Sequence, residues 1–309
     1  DIFALHAQSK EANLQVELAM SVYLKPRLAG LGKTLNQQGG GIGTRGPGEA
    51  KLETDSRLID NRINKLRKEL RKIEKQRLLQ ASSREKNNTP LVSIVGYTNA
   101  GKSTLLKSLT NSEAYVADEL FATVDSLQRE LPIKNVQEPL ILSDTVGFIQ
   151  NLPTTLIESF KSTLLVATSA DLLVHVVDAA TAIPQMHIGT VRNILEQINV
   201  SSNEVMVFNK IDKLDRASLN DLSERYPQAL FISSLKNTGI EELVERISTE
   251  IYGEIQKDSF LVEPKDLEKV NRFGEILEVT NSSDLLLLEI KMRRKLINKL
   301  LDLKIMKES

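Results

Sequence analysis

The densest chemistry in this 309-residue chain lies between Gly96 and Thr104. Gly96-Tyr97-Thr98-Asn99-Ala100-Gly101-Lys102-Ser103 reads G-x-x-x-x-G-K-S, and Thr104 follows in the same candidate set. At this spacing the glycines let backbone N–H groups curl around an anion, while the helix that follows points its positive end at it. Lys102 supplies a point charge for β- and γ-phosphates, and the Ser103 hydroxyl is placed to ligate magnesium. The motif carries weight only between a strand and a helix. The apolar run Leu91–Val95 supplies that strand directly before Gly96. The ligand implied is a nucleotide.

Three further motifs narrow the base. Residues 141–147 form a hydrophobic strand ending in D-x-x-G. Asp144 is placed there to hold magnesium through water, and the Gly147 N–H to sense the γ-phosphate. Asn209-Lys210-Ile211-Asp212 follows the strand Val205–Phe208. A buried carboxylate at Asp212 would accept two hydrogen bonds from guanine N1 and N2, donors that adenine lacks, and the wrong base would leave it unpaired. Ser233-Ser234-Leu235 follows the next strand, where the Ser234 N–H is expected to meet guanine O6. Between the first two motifs, the segment Asp118–Asp125 offers Thr123 as a second hydroxyl on magnesium. Lys102, Thr123 and Gly147 are the candidate catalytic groups. Each short motif alone also reads as a turn. Four in order, each after its own strand, point to GTP, GDP and Mg2+.

The elements that position these residues predict an α/β fold. Leu91–Val95, Leu140–Ser143, Leu172–Val177, Val205–Phe208 and Leu230–Ile232 are β-branched or leucine-rich runs with helical stretches between most of them. That alternation means a mostly parallel sheet covered on both faces. Ser126–Ile133 reads as an extra strand, the antiparallel edge, and a helix over Glu241–Gln256 closes the domain. Upstream, residues 10–31 read as an amphipathic helix, followed by a glycine-rich segment over residues 39–48. A second helix spans about Glu53 to Ser83, where Ile59, Ile63, Leu66, Leu70 and Ile73 keep 4-3-4-3 spacing. Two helices joined by a flexible tip make an antiparallel coiled-coil hairpin. The division expected is residues 1–36 for the first helix with a remnant of an N-terminal domain, and 37–88 for the tip and second helix. Residues 89–253 form the P-loop GTPase domain, and 254–309 a small C-terminal α/β domain. The latter should hold a helix near Lys265–Arg272 and strands from Glu275 and Leu285.

Composition bounds the setting. With 40 basic and 41 acidic residues, bulk charge names no partner. No apolar run approaches the roughly 20 residues that span a bilayer. The absence of cysteine fits a cytoplasmic protein, and three histidines, His6, His175 and His187, argue against zinc. His175 reads as strand packing, the other two as surface. Between Lys25 and Lys86, however, 16 Lys/Arg stand against 7 Asp/Glu, a local net of +9. That asymmetry suits an acidic partner or a solvated helix face equally. Residues 41–46 satisfy G-x-G-x-x-G, but polar sequence precedes them and a heptad helix follows, which is not the βαβ context of a dinucleotide site. Arg45 in such a tip suits contact with an RNA backbone better.

On these motifs the chain resembles a translation-factor-class GTPase, and specifically the HflX family. The tip residues 41–49 with Lys51, Leu52, Glu53 and Arg57 match that family's signature, as do Phe121, Ala122 and Thr123, and residues 144–148. The resemblance covers residues 10 to about 253 well and the last 50 loosely. It implies a cytosolic, monomeric factor that binds the large ribosomal subunit, splits stalled or stress-damaged ribosomes, and brings its hairpin tip near ribosomal RNA of the peptidyl-transferase region. It also makes Asn99, four residues before Ser103, a candidate ligand for potassium in place of an arginine finger.

Where many GTPases place a water-orienting glutamine after D-x-x-G, this chain has Phe148, which has neither donor nor acceptor. The missing group must come from elsewhere in the chain or from a partner. Two other readings share the motifs: a GTPase acting on transfer RNA or another structured RNA, and a switch whose hairpin docks on protein.

Overall fold

A computed structural model describes residues 7, 9–35, 47–86, 89–110, 127–134, 136–145, 147–148, 166–282, 284–302 and 305–307. Arg45, Thr123 with the rest of residues 118–125, and His6 lie outside them.

Helices α1 (Lys10–Leu35) and α2 (Pro47–Lys86) run antiparallel. The pairs Glu11–Arg77, Glu17–Arg62 and Lys25–Asp60 climb one helix as they descend the other. Leu18 of α1 is buried with Ile63, Leu66 and Leu70 of α2, and Leu14, Val22 and Ile59 pack against them. Four of the five 4-3-4-3 positions thus form the seam, and Ile73 is half-buried outside that cluster. Both helices outrun the spans expected of them. Pro26 costs α1 one hydrogen bond without ending it, and Pro47 opens α2 at the first helical position, where its missing N–H is harmless.

Beyond the hairpin, β1 (Leu91–Gly96), β2 (Gln128–Ile133), β3 (Val136–Asp144), β4 (Leu172–Asp178), β5 (Asn203–Asn209) and β6 (Leu230–Phe231) form one sheet in the order β2-β3-β1-β4-β5-β6. β2 is the antiparallel edge, and the rest are parallel. The strand period of two sends Val92 and Ile94 of β1 to one face and Leu91 and Val95 to the other. Leu105, Leu106 and Leu109 of α3 (Lys102–Thr110) cover the first face, together with Leu243 and Ile247 of α6 (Ile240–Tyr252). Val191, Ile194 and Leu195 of α4 (Pro184–Gln197) cover the second. Near the end of the sheet lies α5 (Arg216–Arg225), whose Leu222 packs with Phe208. Register places Ile94 beside Asp144, Gly96 beside Val176 and Asp178 beside Asn209, so the motif-bearing strand ends share one edge. The chain leaves β1 first for β3 on one side and then for β4 on the other. Ligands of such sheets bind in the crevice that this reversal opens.

α6 stops at Tyr252 rather than Gln256, because Gln256 belongs to β7 (Ile255–Val262). With β8 (Gly274–Ser282), β9 (Leu285–Arg293) and β10 (Met306–Lys307), β7 makes a separate antiparallel sheet in the order β10-β7-β9-β8. The helix expected near Lys265–Arg272 is one turn, α7 (Leu267–Val270), and α8 (Arg294–Asp302) was not foreseen. Leu296, Ile297 and Leu300 of α8 join Phe260, Leu288, Ile290 and Met292 in a core continuous with the first face of the large sheet. Buried Arg293 donates to Thr249 Oγ1 and to the Gly253 carbonyl, both at 3.2 Å, and pairs with Glu245 at 2.8 Å. Lys299 pairs with Glu138 on β3. No helix among the described residues is long and apolar enough to cross a membrane.

Candidate nucleotide site

Between β1 and α3 the loop of residues 97–101 is stitched to the D-x-x-G segment. Thr98 N donates to the Phe148 carbonyl at 2.8 Å, and Phe148 N to the Gly96 carbonyl at 3.1 Å. Two glycines are required here by space. At Gly101, with φ +91°, a Cβ would stand 2.3 Å from Asn209 Nδ2. At Gly147 it would stand 2.8 Å from Thr98 Cγ2 and 3.0 Å from Lys102 Nζ. Only bare backbone fits beside the lysine.

Lys102 is 6% exposed, and its Nζ donates to the Tyr97 carbonyl at 3.1 Å. Burial pushes its pKa down to about 8, with Lys210 pushing the same way and Asp144 the other. Ser103 Oγ, in the first turn of α3, donates to Asp144 Oδ2 at 2.7 Å. Thr145 anchors the end of β3, its Oγ1 donating to the Ile94 carbonyl at 2.8 Å. A hydroxyl against a buried carboxylate is a set of hard oxygen donors, and that fits Mg2+ held by few protein ligands and several waters.

The guanine motifs converge on the same loop. Asn209 Nδ2 donates to the Ala100 carbonyl at 3.0 Å, while its Oδ1 accepts from Ser234 N and Ser234 Oγ, both at 3.0 Å. The Ser234 N–H expected to meet guanine O6 is therefore turned to Asn209 instead. The next backbone N–H along is that of Leu235, whose side chain is 76% exposed. Lys210 Nζ donates to the Asn99 carbonyl at 2.5 Å. Asp212 is half-buried rather than buried. It accepts from Ser233 Oγ, and that bond holds its carboxyl below the usual range against the opposing effect of burial. The structure thus gathers Gly96 to Ser103, Asp144, Gly147, Asn209, Lys210, Ser233 and Ser234 around one loop, with Thr104 in the first turn of α3. Asn99, the potassium candidate, sits at the loop's left-handed corner, with φ 60°.

Two residues land where sequence did not put them. Phe148 buries its ring in the second face of the sheet, in one cluster with Leu91, Val95, Val166 and Leu173. His187, read as surface, is half-buried and stacks on Tyr97 of the loop, with centroids 3.9 Å apart and planes 5° from parallel. No sequence signal pairs a residue of α4 with that loop. His175 is buried as expected, its Nδ1 2.7 Å from Glu204, which Arg192 also contacts.

Residues 6–84 match the family model described as "GTP-binding GTPase Middle Region", and residues 91–210 the one described as "50S ribosome-binding GTPase". The GTPase HflX of Caldanaerobacter subterraneus subsp. tengcongensis is 46% identical over 276 residues, covering 89% of this chain and 63% of that protein. The GTPase HflX of Escherichia coli is 41% identical, covering 89% and 65%. That of Lacrimispora saccharolytica is 40% identical, covering 92% and 68%. The chain thus spans a little under two thirds of the first two relatives. Among solved structures, a GTP-binding protein of Sulfolobus solfataricus in complex with GDP is 30% identical with a TM-score of 0.49, covering 81% of this chain and 69% of that one.

Proposed function

Because the chain belongs to the HflX family of GTPases, we propose that it binds GTP and GDP with Mg2+, hydrolyses GTP, and docks on the large ribosomal subunit under control of the nucleotide. One side chain carries the nucleotide reading. Asn209 bonds the phosphate loop at Ala100 and the guanine loop at Ser234 simultaneously, which sets the distance from a base at Asp212 to phosphates at Lys102. The Leu235 N–H takes the role of donor to guanine O6, since the Ser234 N–H is engaged. Lys102 gains its full charge as the polyphosphate arrives, and the Gly147 N–H donates to the γ-phosphate. Ser103 and Asp144 would hold magnesium, which when bound neutralises charge on the β- and γ-oxygens. Phe148 cannot orient water from within the core, and on this reading the ribosomal partner supplies the missing group. Splitting or rescue of stalled ribosomes under stress is the cellular outcome this reading favours.

The test is nucleotide preference. Asp212→Asn should lose GTP affinity by at least about 100-fold, because an unpaired polar group in a recognition site is costly. It should gain xanthosine triphosphate, whose ring carries an acceptor where guanine has its amino group. Comparable affinities of the unaltered chain for GTP and ATP would refute the guanine assignment.

A further inference from the structure

The phosphate loop and the guanine loop meet at two left-handed corners, Asn99 with φ 60° and Lys210 with φ 67°. Neither is glycine, and such corners persist only where the surroundings enforce them. What joins them is the Lys210 side chain. Its Cε would lie 3.8 Å from a Cβ built on Gly101, and its Nζ donates to the Asn99 carbonyl. The same ammonium lies 2.8 Å from Asp178 Oδ2, at the carboxyl end of β4. Asp178 is itself fixed, because its Oδ1 accepts from Ala180 N at 2.9 Å. The ion pair is mostly buried, with side chains 16% and 24% exposed. Its attraction is therefore screened less than that of a surface pair. None of the four nucleotide motifs includes Asp178.

We propose that Asp178 is a positioning residue for nucleotide binding: it aims the Lys210 ammonium at the Asn99 carbonyl and so holds the phosphate loop against the guanine loop before the nucleotide arrives. This inference rests on the nucleotide reading above. The Asp178–Lys210 and Lys210–Asn99 contacts exist without any phosphate, so the effect belongs to binding and not to the chemical step.

The test is a double-mutant cycle on the full chain, with mant-GDP and mant-GTP as probes. Asp178→Asn should raise both dissociation constants by about tenfold and leave kcat at saturating GTP within about threefold. Lys210→Met should weaken binding by at least as much. The two changes together should be no worse than Lys210→Met alone, because Asp178 acts through that lysine. Additive losses, a fall in kcat at unchanged KM, or unchanged affinities in Asp178→Asn would each overturn the proposal. Asp178→Glu, which keeps the charge, should recover more than half of the lost affinity; no recovery would also count against it. Failure of the unaltered chain to bind either probe would instead strike at the nucleotide reading itself.

Discussion

Lys102 combines a full charge requirement with burial, and that combination has a measurable consequence. Its pKa in the protein is about 8, against 10.5 in the open chain. Polyphosphate favours the protonated form, so the pKa rises on binding and a proton must be taken up. Titration calorimetry at pH 8 in two buffers of different ionisation enthalpy should show uptake of about half a proton per GDP. Affinity should fall as pH climbs above 8, by up to about tenfold per unit. Zero uptake would mean that Lys102 is fully charged before the nucleotide arrives. The nucleotide-free fold should, for the same reason, gain stability as pH rises between about 8 and 10.5, where only the unfolded chain still binds the proton. Lys102, Ser103 and Asp144 were legible in sequence because their motif is local and its chemistry admits few substitutes. The engagement of the Ser234 N–H and the Tyr97–His187 stack were not, since both depend on which loops the sheet brings together. Phe148 shows the boundary. Its inability to orient water follows from its type, but its place in the core follows only from the fold.

Among the elements, the strands and the hairpin seam were readable because each imposes a period on its apolar residues. Ends were harder. Pro47 draws α2 into a glycine-rich stretch, and Gly253 ends α6 four residues before the apolar pattern suggested. α8 went unread although its pattern is amphipathic, because basic residues separate its few leucines. The seam itself makes a prediction about independence. Leu66 is 1% exposed between Leu18 and Leu70. Leu66→Ala should cost about 2 kcal/mol, the low end for a buried leucine, since a two-helix layer can partly collapse onto the gap. Amide exchange along α1 should accelerate while the affinity for GDP stays within about twofold. Unchanged exchange in α1 would mean that the helices are held by contacts other than this seam.

On the scale of the whole molecule, the charge asymmetry and the proposed partner can be tested together. The isolated chain should hydrolyse GTP at roughly 10⁻⁴–10⁻² per second, as unassisted GTPases do. Large ribosomal subunits should raise that rate, and the chain should sediment with them when a non-hydrolysable GTP analogue is present but not with GDP. Arg45→Glu should leave the basal rate alone, weaken sedimentation with the subunits and flatten its salt dependence, since one phosphate contact fewer lowers the slope. Undiminished sedimentation by that variant would leave the basic run as a solvated helix face. Binding to transfer RNA or to protein in place of the subunits would favour the other two readings. Composition exposed the basic segment, but how the C-terminal sheet is fastened was invisible to it. That attachment combines a shared apolar core with polar contacts of Arg293 and Lys299, whose partners lie some 40 to 160 positions away.

The 40 residues of α2 give that helix a length of about 60 Å at 1.5 Å per residue. Its last turn is tied to the start of β1, since Thr89 N donates to the Arg84 carbonyl and β1 begins at Leu91, five residues before Gly96. Such geometry makes the helix a lever whose fulcrum is at the opposite end of β1 from the nucleotide loop, about 17 Å away at 3.3 Å per residue. A tilt of about 5° at the fulcrum, small beside the roughly 20° twist between neighbouring strands, sweeps the far end through about 5 Å, the pitch of one helical turn. Movements too small to disturb the packing of the sheet are thereby enough to carry the Pro47 end from one position on a neighbouring surface to the next.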